Sequence, residues 1–264
     1  MSRWWPDRVL MTLAPDAATL TRTPRWPRRG AAKRHVVDRA GFTTAGDGGG
    51  AQPHWRDTLA AAAECLGAPG WRGLPVEVEL SNHLVRYTVL PWVAGLHGGD
   101  ALAYARERFS AVYGPDAAAM SVCLDAGLHG APRIAAAVDT ALIESLRTET
   151  AGKGLRLVSV RPSLVGELAR CEAMIDAASG WFVQAGADRL CLLRFAGSVW
   201  CGVLNVRSDA DATELPALIE QDAVSAGIER EASVIYLRGG RSAAQPLRDR
   251  GWTVRNLDLE GVAG

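Results

Sequence analysis

The chain runs through one order of elements twice, and that repetition limits the folds open to it. Val9 to Leu13 and Thr19 to Thr23 are short β-type runs around the turn signal Ala14-Pro15-Asp16-Ala17, and His35-Val36-Val37 supplies a third strand. A helix follows, with Trp55, Leu59, Ala62 and Leu66 on one face and Gly67 at its end. The pattern restarts at Trp181. Trp181 to Ala185, Leu190 to Phe195 and Val199 to Arg207 read as three consecutive strands, turning at Gly186-Ala187-Asp188 and Ala196-Gly197-Ser198. A helix near 213–226, strand Ser233 to Leu237, a short helix near 243–250 after Gly239-Gly240, and strand Thr253 to Asp258 complete the second block. Strands joined by tight turns pair antiparallel, whereas strands joined through a helix return parallel. Each block therefore predicts a mixed sheet with flanking helices.

Between the blocks the first lobe continues. Val76-Glu77-Val78-Glu79-Leu80 alternates apolar and charged residues, Ser81-Asn82 interrupts, and His83 to Leu90 runs extended into Pro91-Trp92. Asp100 is placed to cap a helix whose buried stripe is Leu102, Ala105, Phe109 and Val112, and Gly114-Pro115 stops it. Met120 to Asp125 reads as a strand. The segment from Pro132 supports two readings. Ile134, Val138, Leu142 and Leu146 fit one helix, or Arg133 to Val138 is a strand and Asp139 caps a helix to about Gly152. The turn at Gly127 to Gly130 favours the second. Leu155 to Val160 is then a strand, and a helix occupies about Ser163 to Ala177. Gly41 to Gln52, rich in small residues, reads as a loop, and Gly46 to Gly50 within it as linker. The expected division is a first lobe over 1–178, carrying an inserted small subdomain near 92–138, and a shortened second lobe over 179–264.

Composition narrows the function classes. Apolar residues are 48% of 264, enough for a sizeable core. Cations and anions balance at 29 each, so no overall field draws the chain to nucleic acid. The exception is Arg22 to Arg34, where Arg22, Arg25, Arg28, Arg29, Lys33 and Arg34 meet no acid. This run reads as a solvated hairpin loop or as a patch for anionic lipid or an acidic partner. The five cysteines form no CxxC and lie at no metal-ligand spacing from histidine. They read as small buried hydrophobes in a reducing compartment, with Cys191 and Cys201 able to approach across a hairpin. The N-terminus has no signal-peptide core, and the longest apolar run, Leu190 to Val206, is broken by Arg194 and Gly197-Ser198. A cytoplasmic location is expected.

Three stretches carry a resemblance. They are Val76 to Trp92; Ile134-Ala135-Ala136-Ala137-Val138-Asp139 with Leu142-Ile143, Leu146, Gly154-Leu155 and Val160-Arg161-Pro162; and Val234-Ile235-Tyr236-Leu237-Arg238-Gly239-Gly240 with Pro246-Leu247 and Gly251-Trp252. In these, and in element order over most of its length, the chain resembles the type IV pilus assembly protein PilM, the biogenesis proteins of mannose-sensitive haemagglutinin pili, and the cytoplasmic region of the type II secretion protein GspL. The resemblance implies an α/β fold of two ribonuclease H-like, actin-like lobes. It also implies a cytoplasmic scaffold under the inner membrane that holds the cytoplasmic tail of a bitopic partner. A secretion ATPase is a further implied partner, and a homodimer a further implied state. Unlike GspL, the chain shows no membrane span of its own.

Actin-like ATPases use an Asp-x-Gly turn in each lobe, where glycine admits phosphate to backbone N–H groups and the acid handles magnesium. Here the first-lobe turn is Ala14-Pro15-Asp16-Ala17, without glycine and with one donor removed by Pro15. The second-lobe turn, Gln184-Ala185-Gly186, keeps glycine but places an amide where the carboxylate would be. Gly239-Gly240 matches the turn that packs on adenosine in relatives, or is a plain strand-to-helix turn. If ATP is bound, Gly186, Gly239 and Gly240 are the residues expected to contact it. Hydrolysis is not expected, and neither is a required cofactor. No P-loop or G-x-S-x-G sequence is present, and Val9 to Leu13 has none of the acids a ribonuclease H-type nuclease needs. The rivals to a scaffold are a nucleotide-binding actin-like ATPase or kinase, a soluble α/β enzyme, and an anionic-membrane-surface module. Nine tryptophans suit a binding surface, and Trp4, Trp5 and Trp26 lie in polar, proline-rich stretches.

Overall fold

A computed structural model of the chain describes residues 7–23, 34–38, 55–96, 98–186, 188–209 and 212–257. Trp4, Trp5, Trp26, the glycine-rich run at 46–50 and most of the basic run at 24–33 lie outside the described residues. Strands β1 (Arg8–Leu13), β2 (Ala17–Thr23) and β3 (Arg34–Asp38) form an antiparallel meander. Helix α1 (Trp55–Leu66) leads to β4 (Pro75–Leu80), which pairs parallel with β1. β5 (Arg86–Leu90), α2 (Gly98–Tyr113), β6 (Met120–Leu124) and β7 (Arg133–Asp139) follow. Helix α3 (Thr140–Gly152) then returns the chain to β8 (Arg156–Pro162), parallel to β4. The second block comprises α4 (Ser163–Cys171), β9 (Ser179–Ala185), β10 (Arg189–Ala196), β11 (Val199–Arg207), α5 (Leu215–Ala226), β12 (Val234–Arg238), α6 (Ala244–Asp249) and β13 (Thr253–Asn256).

The repetition seen in the sequence is realised strand for strand. One sheet has the order β3-β2-β1-β4-β8 and the other β11-β10-β9-β12-β13. In both, the first three strands meander antiparallel and the last two are parallel additions. A third sheet has the order β5-β7-β6, and its first strand starts at Arg86. Asp139 caps α3 as expected, its Oδ1 accepting from Ala141 N–H at 2.9 Å.

By packing, one compact unit is Met1–Val85, Ala119–Ser121 and Val138–Ser163, and the other is Arg86–Ala118, Val122–Ala137 and Leu164–Gly264. The division therefore does not fall at 178/179. The reason is side-chain burial. Leu164, Leu168 and Cys171 of α4, Tyr87 of β5 and Ile134 of β7 all pack with Phe182, Cys191, Leu193, Phe195 and Tyr236 on one face of the second sheet. Its other face buries Trp181, Val183, Leu190, Leu192, Ile235 and Leu237 under α5 and α6, through Leu215, Ile219, Ala223 and Leu247. In the first unit α1 buries Trp55, Leu59, Ala62 and Leu66 and packs beside α3 and β2.

Several expectations are corrected. His83 does not begin a strand. Ser81 caps a short 3-10 turn over Asn82–Leu84, and β5 starts only at Arg86. The buried stripe of α2 is Ala101, Ala105 and Phe109, while Val112 is exposed. Gly98 opens that helix, so Asp100 lies in its first turn and is not its cap. α4 ends at Cys171 and passes into a 3-10 turn over Glu172–Met174, short of Ala177. Asp258, the expected end of the last strand, lies outside the described residues. All five cysteines are free thiols. Cys123 is exposed and Cys65 and Cys201 are half-buried, so only Cys171 and Cys191 are the buried hydrophobes expected. Cys191 stands opposite Asn205 in the β10–β11 register, which keeps it from Cys201.

Candidate functional site

The first-lobe turn is built as a closed hairpin. Ala14 N–H donates to Ala17 carbonyl at 2.8 Å, and Pro15 has no N–H to offer. The Pro15 carbonyl accepts the Thr58 hydroxyl of α1 at 2.7 Å, and Thr58 is buried. Ser81 N–H donates to Leu13 carbonyl at 2.8 Å, which ties the end of β4 to the end of β1. The Ala14 N–H and the Leu13 and Pro15 carbonyls are thus engaged within the fold. Asp16 stands exposed at the tip.

In the second lobe the three glycines named from the sequence come together. Gly186 sits exposed after β9, and its N–H donates to Arg189 carbonyl at 2.8 Å to close the β9–β10 turn. Gly239 and Gly240 follow β12, with φ of 76° and 58°, a backbone region that suits glycine. A methyl group at Gly239 would overlap the Ala185 carbonyl oxygen, and one at Gly240 would stand 2.6 Å from Ala185 Cβ. The glycine pair therefore lets the end of β12 close directly over Ala185. Gly240 then starts the short helical turn over Arg241–Ala243, its carbonyl accepting from Ala243 N–H at 2.9 Å. Gln184 lies within β9, opposite Cys191 on one side and Arg238 on the other. Among the described residues no group of three or more His, Cys, Asp or Glu side chains could hold a metal ion. The Gly186 N–H is taken up in turn closure, and a Cβ at either glycine of the pair would run into Ala185. The role of Ala185 was not legible in the sequence, since nothing in a glycine pair says what its backbone will press against.

The small sheet presents a different kind of surface. Trp92 is the exposed tryptophan among the described residues, and Val93 and Leu128 are exposed with it. His129 meets Trp92 edge-on, with ring centroids 5.5 Å apart at 74°. The β6–β7 turn that carries Leu128 and His129 is held by Arg133. Its Nε donates to the Asp125 carbonyl at 3.1 Å, and Nη2 bonds the same oxygen. Gly127, at φ 60°, leaves room for this side chain, because a methyl group there would come within 2.7 Å of Arg133 Cγ. Burial raises the Asp125 carboxyl above its ordinary value, partly offset by the Ile134 backbone and by Arg133. An exposed aromatic that follows β5 and meets His129 of the braced turn, with Val93 and Leu128 exposed next to these two rings in sequence, is a suitable anchor for a partner's apolar side chain.

No helix among the described residues is long and apolar enough to cross a membrane. No protein-family model matches the sequence, and no curated protein matches it either. Solved structures do match. A chain of the PilM–PilN type IV pilus biogenesis complex superposes with a TM-score of 0.67 at 15% identity, over 97% of this chain and 89% of that one. A Bacteroides thetaiotaomicron protein of actin-like ATPase fold and unknown function gives 0.63 at 10% identity, over 96% and 91%. The cytoplasmic domain of EpsL, an inner-membrane component of the Vibrio cholerae type II secretion system, gives 0.58 at 12% identity, over 88% and 82%. With its duplicated sheet order, this chain has the actin-like ATPase fold.

Proposed function

We propose that the chain is a non-catalytic, cytoplasmic scaffold at the inner-membrane face of a type IV pilus or type II secretion-like assembly platform. In this role it holds the cytoplasmic tail of a bitopic membrane partner. The observation that carries the reading is the match to a chain of the PilM–PilN complex, which extends over 97% of this chain. The likeness to cytoplasmic EpsL supports it independently. The exposed group Trp92, Val93 and Leu128 supplies an apolar surface on which a tail could anchor. The scaffold works without nucleotide. The proline-bearing first turn, bound by Thr58, and the Gly186 N–H taken up by the Arg189 carbonyl support this part of the reading. A motor ATPase and a second copy of the chain are further partners in this reading.

Co-purification tests the assignment. The tagged chain is expressed with a candidate single-span membrane protein, either intact or lacking its cytoplasmic tail. Recovery of the intact partner alone is expected. Equal recovery of the tail-deleted partner would remove the tail from the account.

A further inference from the structure

The second unit has a cluster of arginines that the scaffold role does not use. Arg189 of β10 and Arg207 of β11 stand directly opposite in the antiparallel register, so their side chains share one face of the sheet. Cys191, opposite Asn205, and Leu193, opposite Val203, continue that face inward. There Cys191, Leu193 and Val203 pack with Tyr87 of β5. The apolar layer thus ends, toward the start of β10, in a polar rim. β5 runs beside β11, and its first residue, Arg86, bears electrostatically on Arg189. Arg86 also lies over the Tyr113 ring, with Cζ 5.8 Å from the centroid. Arg189 Nη1 donates to Asn205 Oδ1 at 3.3 Å, while its Nε is buried and makes no hydrogen bond.

Like charges directly opposite on a sheet are destabilising. A buried guanidinium N–H without a partner adds a further cost. The charged groups that bear on Arg189 are Arg86 and Arg207, which oppose it, and Asp188, which offsets them in part. Two acids that follow β11 in the chain accept hydrogen bonds from neutral groups. Asp209 takes the Thr213 hydroxyl and N–H, and Glu214 takes the Ser208 hydroxyl at 2.6 Å. Desolvation and the opposing arginines both weaken the hold of Arg189 on its proton, the sense expected of a cation that gains from an added anion.

We propose that Arg86, Arg189 and Arg207 form a binding site for a phosphate-type oxyanion. Guanidinium forks match phosphate oxygens, and a dianion suits three cations set against one carboxylate better than a single carboxylate does. The site is made of side chains on a sheet face, unlike the backbone turns at Gly186 and Gly239-Gly240, and it stands apart from the question of a partner tail. The phosphate could be free, part of a nucleotide, or a lipid phosphomonoester.

The full chain is titrated with three probes at matched ionic strength. These are inorganic phosphate, ATP without magnesium, and phosphatidylcholine vesicles with or without phosphatidic acid. Arg207→Gln, at the exposed end of β11, leaves the core undisturbed, and Arg189→Gln removes the half-buried fork. Binding of at least one probe is expected, weakened roughly tenfold or more in either variant, as loss of a charge-assisted hydrogen bond implies. Response to phosphate or ATP would identify a soluble ligand, and response to phosphatidic acid vesicles alone a lipid headgroup. Absence of binding to all three probes would overturn the proposal, as would equal binding by wild type and both variants.

Discussion

Single side chains decide what this fold does with its turns. Thr58 shows how. Its hydroxyl meets the Pro15 carbonyl at 2.7 Å from a buried position, fastening α1 to the turn that carries phosphate in an actin-like ATPase. Thr58→Val keeps the volume and removes the donor, leaving the carbonyl to find another partner. The cost should be about 1–3 kcal/mol, read as a shift of the urea midpoint. Asp176 gives a pH signature. Hydrogen bonds from Arg255 and from the Tyr236 hydroxyl hold its carboxyl below the usual range. A depressed carboxyl contributes stability that is present above its unfolded pKa and lost as pH falls through its folded one. Asp176→Asn should therefore be less stable than wild type at neutral pH, and the gap should close below about pH 4. A gap that persists unchanged to pH 2 would show that geometry, not charge, is responsible. Little of this was legible beforehand. Pro15 and the missing glycine could be read directly, but neither Thr58 nor Ala185 carries a pattern, because each acts through contacts across long stretches of chain.

At the scale of elements the sequence is informative where local chemistry is strong. The three-strand openings, the Asp139 cap and the β6–β7 turn all follow from short-range signals. The failures have two causes. β5 was expected to begin at His83, yet Ser81 captures that residue into a 3-10 turn. α2 was expected to bury Val112, but its stripe runs Ala101, Ala105, Phe109 at four-residue spacing and leaves Val112 outside. The first is a local side-chain capture; in the second several residues fit the period, and which face turns inward is set by tertiary packing. Glu79 is the sharper example. It sits at an alternating position yet is buried, because Arg161 of β8 reaches it at 2.7 Å. Gly180 marks another place where elements meet. Its φ is 149°, and a methyl group there would overlap the Val234 carbonyl oxygen where β9 pairs with β12. Gly180→Ala should destabilise the second unit by roughly 2 kcal/mol or more. An unchanged denaturation midpoint would contradict that close approach.

On the scale of the whole molecule, the duplicated sheet order of the actin-like fold is kept, and the turns at its strand ends are closed by contacts within the protein. The duplicated sheet order was readable because three turn-linked strands followed by alternating helix and strand recur in both blocks. The packing boundary was not, because α4 and the small sheet follow the first block in the chain yet bury their apolar residues on the second sheet. In the proposed scaffold Trp92 is the apolar anchor, so Trp92→Ala should weaken capture of the membrane partner about tenfold, in line with an interface hot spot, while leaving the fold intact. The most direct measurement is co-purification of the chain with the proposed single-span partner, performed with magnesium-ATP and again after enzymatic removal of nucleotide. The account predicts equal, tail-dependent recovery in both conditions. Recovery that appears only with magnesium-ATP would contradict it and return the chain to the nucleotide-driven members of its fold.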